Sequence, residues 1–336
     1  MIDDDDVASV AAALRGELLT TGPLVERFEA ALADVTGARH AVACNNGTSA
    51  LYMAARALEI GSGDAVVVPA QTFLATASGP HLAGAEVVFA DVDPETGLMR
   101  PADLERAIDA ARRRFPTLRL RAAFVVHLNG QVADMPALKA LCDSQGLALV
   151  EDAAHAVGGL ARRAGDAGSG GSDSRVGDCR WSSMATFSFH PVKTIAMGEG
   201  GAVTTNDDVL AARLRRVRNH GMERDSAAWQ HRDAGFGGDG LPNPWYYEMA
   251  EPSLNFRVPD ILCALGISQL RKLASWVAER RRLFERYRHL LADVGAPVRP
   301  PATVTWGAPA WHLAAARIAF DASGAVARRD DATAAR

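Results

Sequence analysis

One lysine of the 336-residue chain lies where an amine could do chemistry. The chain has three lysines among many arginines, and Lys139 and Lys272 fall in amphipathic stretches that are typical of solvated cations. Lys193 instead ends the segment Ser188-Phe189-His190-Pro191-Val192-Lys193, between an apolar run and the glycine-rich turn 198–201. Burial lowers the pKa of a lysine, and a neutral amine can bond to an aldehyde, which an arginine cannot do. The placement predicts a nucleophile; a lysine that only pairs with a carboxylate is the alternative.

An acidic residue follows another apolar run. Asp152 comes directly after the predicted strand Leu147–Glu151, and ligands of α/β sheets collect at the carboxyl ends of strands. A carboxylate there can keep the nitrogen of a pyridine ring protonated, as an electron-sink cofactor such as pyridoxal phosphate requires. A helix cap is the alternative for Asp152. His155 is predicted to hydrogen-bond or pack beside such a cofactor, or to be a structural histidine.

A third segment has the features of a phosphate site. Asn45–Ala50 joins a predicted strand to a predicted helix through a glycine turn, and a helix N-terminus offers N–H groups and a positive dipole end to an anion. The same residues also make an ordinary helix cap. Ser188, five residues before Lys193, is predicted to add a hydroxyl to this phosphate site.

The fourth feature is an aromatic ring after a strand. Phe73 follows the predicted strand Ala65–Pro69, where its ring could stack on a pyridine ring or belong to the core. The sequence shows no metal-ligand cluster, nucleophile elbow or dinucleotide fingerprint, so no metal is predicted. An amine, a carboxylate, a phosphate cradle and an aromatic plate at four strand ends together indicate a pyridoxal phosphate (PLP) site.

The elements that must position these groups alternate between strands and helices over the first 205 residues. Continuous apolar strands separated by amphipathic helices favour an α/β fold with a mostly parallel sheet sandwiched by helices. The predicted strands are His40–Cys44, Ala65–Pro69, Glu86–Ala90, Ala122–Val126, Leu147–Glu151, Met184–Phe187, Gly201–Thr205 and Leu313–Phe320. The predicted helices include Leu24–Val35, Thr48–Leu58, Pro101–Arg113, Asp134–Gln145, Ile261–Leu273 and Ser275–Val294. The Gly/Ser-rich run Ala164–Ser174 is predicted to be a surface loop.

Composition narrows the class of protein. The net charge of −4 and the pI of about 6.1 give no basic surface for nucleic acid. No apolar run approaches the roughly 18 residues of a membrane span, and the acidic start does not resemble an export signal, so the expected location is cytoplasmic. The four cysteines are far apart and are expected to be reduced and buried.

These motifs occur in the same order in a known family. The sequence resembles the DegT-type nucleotide-sugar aminotransferases, a branch of the fold-type-I PLP-dependent enzymes, over about residues 5–275. The residues that carry the resemblance are Thr21-Gly22-Pro23, Asn46-Gly47-Thr48-Ser49-Ala50-Leu51, Thr72-Phe73, Asp91-Val92-Asp93-Pro94, Glu151-Asp152-Ala153-Ala154-His155, Ser188–Lys193, Gly198–Gly201, Arg218-Asn219-His220-Gly221, Asn255-Phe256-Arg257 and Asp260.

The resemblance implies a role for each candidate residue. Lys193 would be the Schiff-base lysine, Asp152 the partner of the pyridine nitrogen, and Phe73 the residue stacked on the ring. The phosphate would be held by Gly47, Thr48, Ser49 and Ser188. Asn255 would reach the phosphate of a neighbouring subunit, so the resemblance implies a homodimer with shared active sites. A dehydratase branch has histidine in place of the lysine, so Lys193 favours amino transfer.

Segment 243–249 and the residues around Lys193 are most similar to one subgroup, the UDP-4-amino-4,6-dideoxy-N-acetyl-β-L-altrosamine transaminases of pseudaminic acid synthesis. This similarity implies transfer of an amino group, usually from L-glutamate, to C4 of a UDP-linked 4-keto-6-deoxy sugar. Two alternatives stay open: an aminotransferase for another nucleotide-linked keto sugar (dTDP or GDP, C3 or C4), and a non-catalytic regulatory homologue. A large PLP-binding domain is expected over residues 1–245. A small C-terminal domain is expected over 246–336 and is predicted to be incomplete.

Overall fold

The computed structural model describes residues 2–162, 173–293 and 298–318. The helices in these ranges are α1 (Asp4–Leu14), α2 (Pro23–Thr36), α3 (Gly47–Ala57), α4 (Ala75–Leu82), α5 (Pro101–Arg114), α6 (Met135–Gln145), α7 (Asp208–Arg218), α8 (Arg232–Gly235), α9 (Asp260–Leu270) and α10 (Leu273–Asp293). The strands are β1 (His40–Cys44), β2 (Asp64–Pro69), β3 (Glu86–Ala90), β4 (Arg119–Val126), β5 (Ala148–Asp152), β6 (Leu160–Ala161), β7 (Ser174–Arg175), β8 (Met184–Ser188), β9 (Gly201–Thr205), β10 (Met222–Glu223), β11 (Glu248–Met249), β12 (Val298–Arg299), β13 (Gly307–Ala308) and β14 (Arg317–Ile318).

Seven of these strands form the central sheet, in the order β1-β9-β8-β5-β4-β2-β3. Strand β9 is antiparallel to both of its neighbours, and the pairs β5–β8, β4–β5, β2–β4 and β2–β3 are parallel. All residues of β2 and β9 are buried, because a sheet that is covered on both faces needs continuous apolar strands. The predicted α/β fold with a mostly parallel sheet is confirmed.

Helices cover both faces of this sheet. Phe28 and Leu32 of α2 and Leu104 of α5 belong to a core cluster on one face. Leu51 of α3 and Leu214 of α7 belong to the cluster on the other face. The two clusters hold the sheet between the helices. Because β4, β5 and β8 are parallel, their carboxyl ends meet at one edge of the sheet.

The predicted bounds of β1, β3 and β9 agree with the structure, and the other predicted sheet strands differ from it by up to three residues. The predicted strand Leu313–Phe320 is wrong in its first half. Residues 313–316 are irregular, Arg317–Ile318 pairs with β12, and residues 319–320 lie outside the described residues. All but the last two residues of the predicted loop Ala164–Ser174 lie outside the described residues.

The chain after α10 returns to the first part of the fold. Strand β13 pairs with β6, and β12 pairs with β14. In the described residues, no helix is long and apolar enough to cross a membrane. All four cysteines are buried with free thiols, as expected. The domain boundary after residue 245 stays a prediction.

Candidate active site

A cavity of about 570 Å³ opens where β4, β5 and β8 end and where α3 begins. Most of the candidate residues line it, although they come from four separate segments of the chain. The candidates in its wall are Gly47, Thr48, Phe73, Asp152, His155, Ser188 and Lys193. Ser49 and Asn255 are not in its wall.

Asp152 is the buried carboxyl group of the cavity. The hydroxyl of Thr76 donates to its Oδ2 at 2.6 Å, and the N–H of Ala154 donates to its Oδ1 at 3.2 Å. Burial raises the pKa of Asp152, and these two hydrogen bonds and the charge of Lys193 oppose that rise. A carboxylate held by two donors keeps acceptor capacity on each oxygen, so it can accept a further N–H from a ligand.

Lys193 is half-buried in the same cavity. Burial lowers the pKa of its amine, and the negative charge of Asp152 opposes the decrease. Its backbone N–H donates to the carbonyl of His190 at 2.8 Å, which fixes the turn. Within residues 2–162, 173–293 and 298–318, no hydrogen bond or ion pair engages its Nζ. The amine is therefore available to a ligand, as the sequence predicts for a nucleophile.

The start of α3 forms one end of the cavity. Asn46 caps the helix by accepting the N–H of Ser49 at 2.8 Å, whereas the N–H groups of Gly47 and Thr48 lie in the first turn and have no intrahelical acceptor. A Cβ on Gly47 would lie 2.7 Å from Cβ of Ser188, so only glycine lets β8 approach the turn. The segment is thus a helix cap and an anion cradle at once.

Phe73 is an exposed wall of the cavity. Its relative accessibility is 64%, which excludes the alternative of a core phenylalanine. An exposed ring at a cavity mouth has a free face on which a planar ligand can stack.

Two histidines lie beside Lys193. The N–H of Asn129 donates to Nδ1 of His155 at 3.3 Å, so the ring proton of His155 is on Nε2. The ring of His312 lies 4.6 Å from that of His155, and Nδ1 of His312 is buried with no hydrogen-bond partner in the described residues. Burial, with the charge of Lys193, lowers the pKa to about 3 for His155 and about 4 for His312. Both rings are neutral at physiological pH.

The sequence reasoning missed His312. It is brought to the cavity because its backbone N–H donates to the carbonyl of Asn129 at 2.8 Å. Asn255 is exposed and pairs with Asn219 outside the cavity, so its predicted contact with a phosphate stays a prediction. In the described residues, no group of three or more His, Cys, Asp or Glu side chains could hold a metal ion.

These features fit PLP. The buried carboxyl group of Asp152 suits its ring nitrogen, and the amine of Lys193, which has no partner among the described residues, suits its aldehyde. The helix start at Gly47, where a Cβ would clash with Ser188, suits its phosphate. The fold and the site therefore define the class of PLP-dependent aminotransferases.

Comparison with known proteins gives the same class. Residues 1–331 match the DegT/DnrJ/EryC1/StrS aminotransferase family. The chain is 37% identical over 282 residues to the GDP-perosamine synthase of Caulobacter vibrioides, covering 84% of this chain and 66% of the synthase. It is 34% identical over 313 residues to the spore coat polysaccharide biosynthesis protein SpsC of Bacillus subtilis, covering 93% of this chain and 73% of that protein.

The solved structures agree. Helicobacter pylori PseC, an aminotransferase involved in the biosynthesis of pseudoaminic acid, superposes with a TM-score of 0.80 at 25% identity, covering 99% of this chain and 81% of PseC. Similar structures include forms with PLP and with its amino form. The chain belongs to the DegT/DnrJ/EryC1/StrS aminotransferase family, which confirms the predicted resemblance.

Proposed function

We propose that this chain transfers an amino group from L-glutamate to a nucleotide-linked keto sugar, with PLP as cofactor. One observation carries the proposal: Lys193, whose amine has no partner among the described residues, lies in the same cavity as the buried carboxyl group of Asp152. The family supports amino transfer, and the relatives named as sugar enzymes support the substrate class.

In this proposal, separate residues bind the aldehyde, the ring and the phosphate of the cofactor. Lys193 Nζ would bond to its aldehyde carbon, and Asp152 would accept the N–H of its ring. The cradle of Gly47, Thr48, Ser49 and Ser188 holds the phosphate. Ser49 contributes the least, because its N–H already belongs to the cap of Asn46 and its side chain is buried outside the wall. Phe73 stacks on the ring.

Lys193, His155 and Asp152 have separate roles in proton transfer and hydrogen bonding. When bound, PLP delocalises the electron pair that remains after the Cα proton of the donor leaves. Once the amino group of the donor has replaced Lys193 at the aldehyde carbon, the freed Nζ would take that proton, and burial favours this role because it lowers the pKa of the amine. His155 stays neutral, and its Nδ1 accepts the N–H of Asn129, so its ring proton is on Nε2 and can be donated in a hydrogen bond to a ligand in the cavity. Anionic Asp152 keeps the ring nitrogen protonated.

The substrate is proposed to be a UDP-linked 4-keto-6-deoxy-N-acetylhexosamine that is aminated at C4. The support is the similarity to PseC and the subgroup motif at 243–249. A GDP-linked keto sugar is the second candidate, since GDP-perosamine synthase is 37% identical. Nitrogen-15 glutamate with each sugar in turn, followed by mass spectrometry of the products, separates the two.

We also propose a homodimer in which Asn255 serves the neighbouring site, and a large domain that ends near residue 245. The exposure of Asn255, away from the cavity of its own chain, supports the first of these proposals.

The test of the function replaces the amine but keeps its charge. Lys193→Arg is expected to form no 2-oxoglutarate from glutamate, because a guanidinium stays protonated and cannot bond to an aldehyde. Lys139→Arg is the matched control, because Lys139 pairs with Asp143 on the exposed face of α6. Production of 2-oxoglutarate by Lys193→Arg at the rate of the unaltered protein would refute the assignment, and no reaction by the unaltered protein would favour the regulatory homologue.

A further inference from the structure

A buried polar cluster lies directly behind Asp152 and takes no part in the proposed chemistry. The side chains of His127 and Glu151 are 0% and 5% exposed. Nε2 of His127 lies 3.0 Å from Oε2 of Glu151, and the hydroxyl of Ser182 donates to Oε1 of Glu151 at 2.5 Å. Buried ionisable groups are costly to keep unless their hydrogen bonds are satisfied, so the cluster needs a physical reason to be there.

The hydrogen bonds fix the proton positions in this cluster. The N–H of Ala133 donates to Nδ1 of His127 at 3.2 Å, so Nδ1 is an acceptor and carries no proton. The single ring proton is therefore on Nε2, which donates to Glu151. Glu151 is then a carboxylate held by two neutral donors, and His127 is neutral.

The same residues hold the end of β5 through its backbone. The N–H of His127 donates to the carbonyl of Asp152 at 3.1 Å, and the hydroxyl of Thr186 donates to the carbonyl of Glu151 at 3.1 Å. Successive side chains of a strand point to opposite faces of a sheet. Glu151 is thus anchored on one face of β5, while Asp152 extends into the cavity from the other.

We propose that His127 and Glu151 are positioning residues that fix the Asp152 carboxylate against the ring nitrogen of the cofactor. The inference rests on the proposed function of Asp152. His127 holds β5 by its ring at Glu151 and by its backbone N–H at Asp152. A substitution keeps the backbone contact but removes the ring contact, so Glu151 loses a donor and the last residue of the strand can shift. A displacement of about 1 Å at a reacting group can cost about a hundredfold in rate.

The first test concerns the cluster itself and needs no turnover. Nitrogen-15 NMR of the histidine rings, with the His127 signal assigned by its loss in His127→Asn, is expected to show the ring proton of His127 on Nε2 and none on Nδ1. A proton on Nδ1 would overturn the proposed hydrogen-bond scheme.

The second test asks whether the cluster acts through Asp152. An asparagine side chain can still accept the N–H of Ala133, but it no longer reaches Glu151. His127→Asn is expected to slow the single-turnover reaction with glutamate by about ten- to a hundredfold, while borohydride trapping still finds the cofactor on Lys193. In the Asp152→Asn background the same change is expected to add almost nothing, since a positioning residue has no effect once the group that it positions is lost.

Two further variants separate positioning from general stability. In Glu151→Gln the amide oxygen can accept from Nε2 of His127 while the NH2 group donates to the hydroxyl of Ser182, so both contacts remain without the charge. This variant is expected to retain more of the rate than Glu151→Leu. Thr36→Val removes a buried hydrogen bond within α2 and is the matched control for lost stability. Full additivity of His127→Asn with Asp152→Asn, or equal losses in the two Glu151 variants, would overturn the proposal.

Failure of the proposed function gives a different pattern. If the unaltered protein bound PLP on Lys193 but did not react with glutamate, transamination would be excluded, and the positioning claim would be decided by absorbance. His127→Asn must then change the pH dependence of the absorbance of bound PLP, because ring protonation depends on Asp152. An unchanged profile would refute the inference.

Discussion

Removal of the Thr76 hydroxyl tests how the fold keeps Asp152 ionised. Thr76 is fully buried in the first turn of α4 and donates to Oδ2 of Asp152 at 2.6 Å. Since this bond uses its only proton, Thr72 must donate to Thr76, at 2.7 Å. Thr76→Val keeps the shape and removes the donor. The burial that raises the pKa of Asp152 then has less to oppose it.

The size of the effect follows from the charge of the acceptor. A hydrogen bond to a charged group contributes about 1.5–3 kcal/mol, and each 1.4 kcal/mol corresponds to about tenfold in an equilibrium. Because the bond favours the ionised carboxylate, its loss raises the pKa of Asp152, and the acid limb of the pH–rate profile moves to higher pH. Below that limb the rate is expected to fall by about ten- to a hundredfold. Well above it, the variant and the unaltered protein converge.

The assay is the single-turnover reaction with L-glutamate, measured across pH with PLP in excess. Thr76→Ser keeps the hydroxyl and is the control that retains the original profile. Thr72→Val removes a donor to Thr76 and not to Asp152, so its shift is expected to be smaller. Equal losses at every pH in Thr76→Val would contradict the reasoning, because they would point to misfolding or to altered geometry.

Two other changes probe the cradle and the histidine pair. Gly47→Ala places a Cβ 2.7 Å from that of Ser188 and is expected to weaken PLP binding, measured by absorbance titration, by about tenfold or more; Gly238→Ala, in open space, leaves it unchanged. The pKa values of about 3 for His155 and about 4 for His312 lie below the ordinary 6.5, so the unfolded chain binds more protons and stability falls as the pH drops below about 6.5. Between about pH 7 and about pH 5 the loss is expected to be about 2 kcal/mol for each histidine, measured by urea denaturation, and His155→Gln removes its own share. A free energy of unfolding that does not change over that range would contradict the burial of two neutral rings.

The sheet could be predicted because each of its strands is a short apolar run between polar residues. For the fully buried β9 the predicted bounds agree with the structure, and for the equally buried β2 the structure adds one residue, Asp64, at the start. Lys193 and Asp152 could be predicted for a related reason. Asp152 ends β5 and Lys193 comes five residues after the end of β8, and the ends of these neighbouring strands meet at one edge.

The supporting residues could not be predicted in this way. Thr76 lies in the first turn of α4, where a threonine that binds a carboxylate looks the same in sequence as a surface threonine. His127 directly follows β4 and Glu151 is the second-last residue of β5, but their hydrogen bond depends on the register that pairs Val126 with Asp152. Register is a tertiary property, and one sequence without structure does not give it.

The position of His312 shows how the last described segment completes the cavity. Asn129 has a positive φ of 60°, a conformation that asparagine adopts more readily than most residues. Its N–H donates to the ring of His155, and its carbonyl accepts the N–H of His312. Arg280 of α10 holds the segment around His312 by donating to the carbonyl of His312 at 3.0 Å. The residues after α10 therefore supply a wall of the candidate active site, and a chain cut before residue 307 would lose one of the two neutral rings beside Lys193.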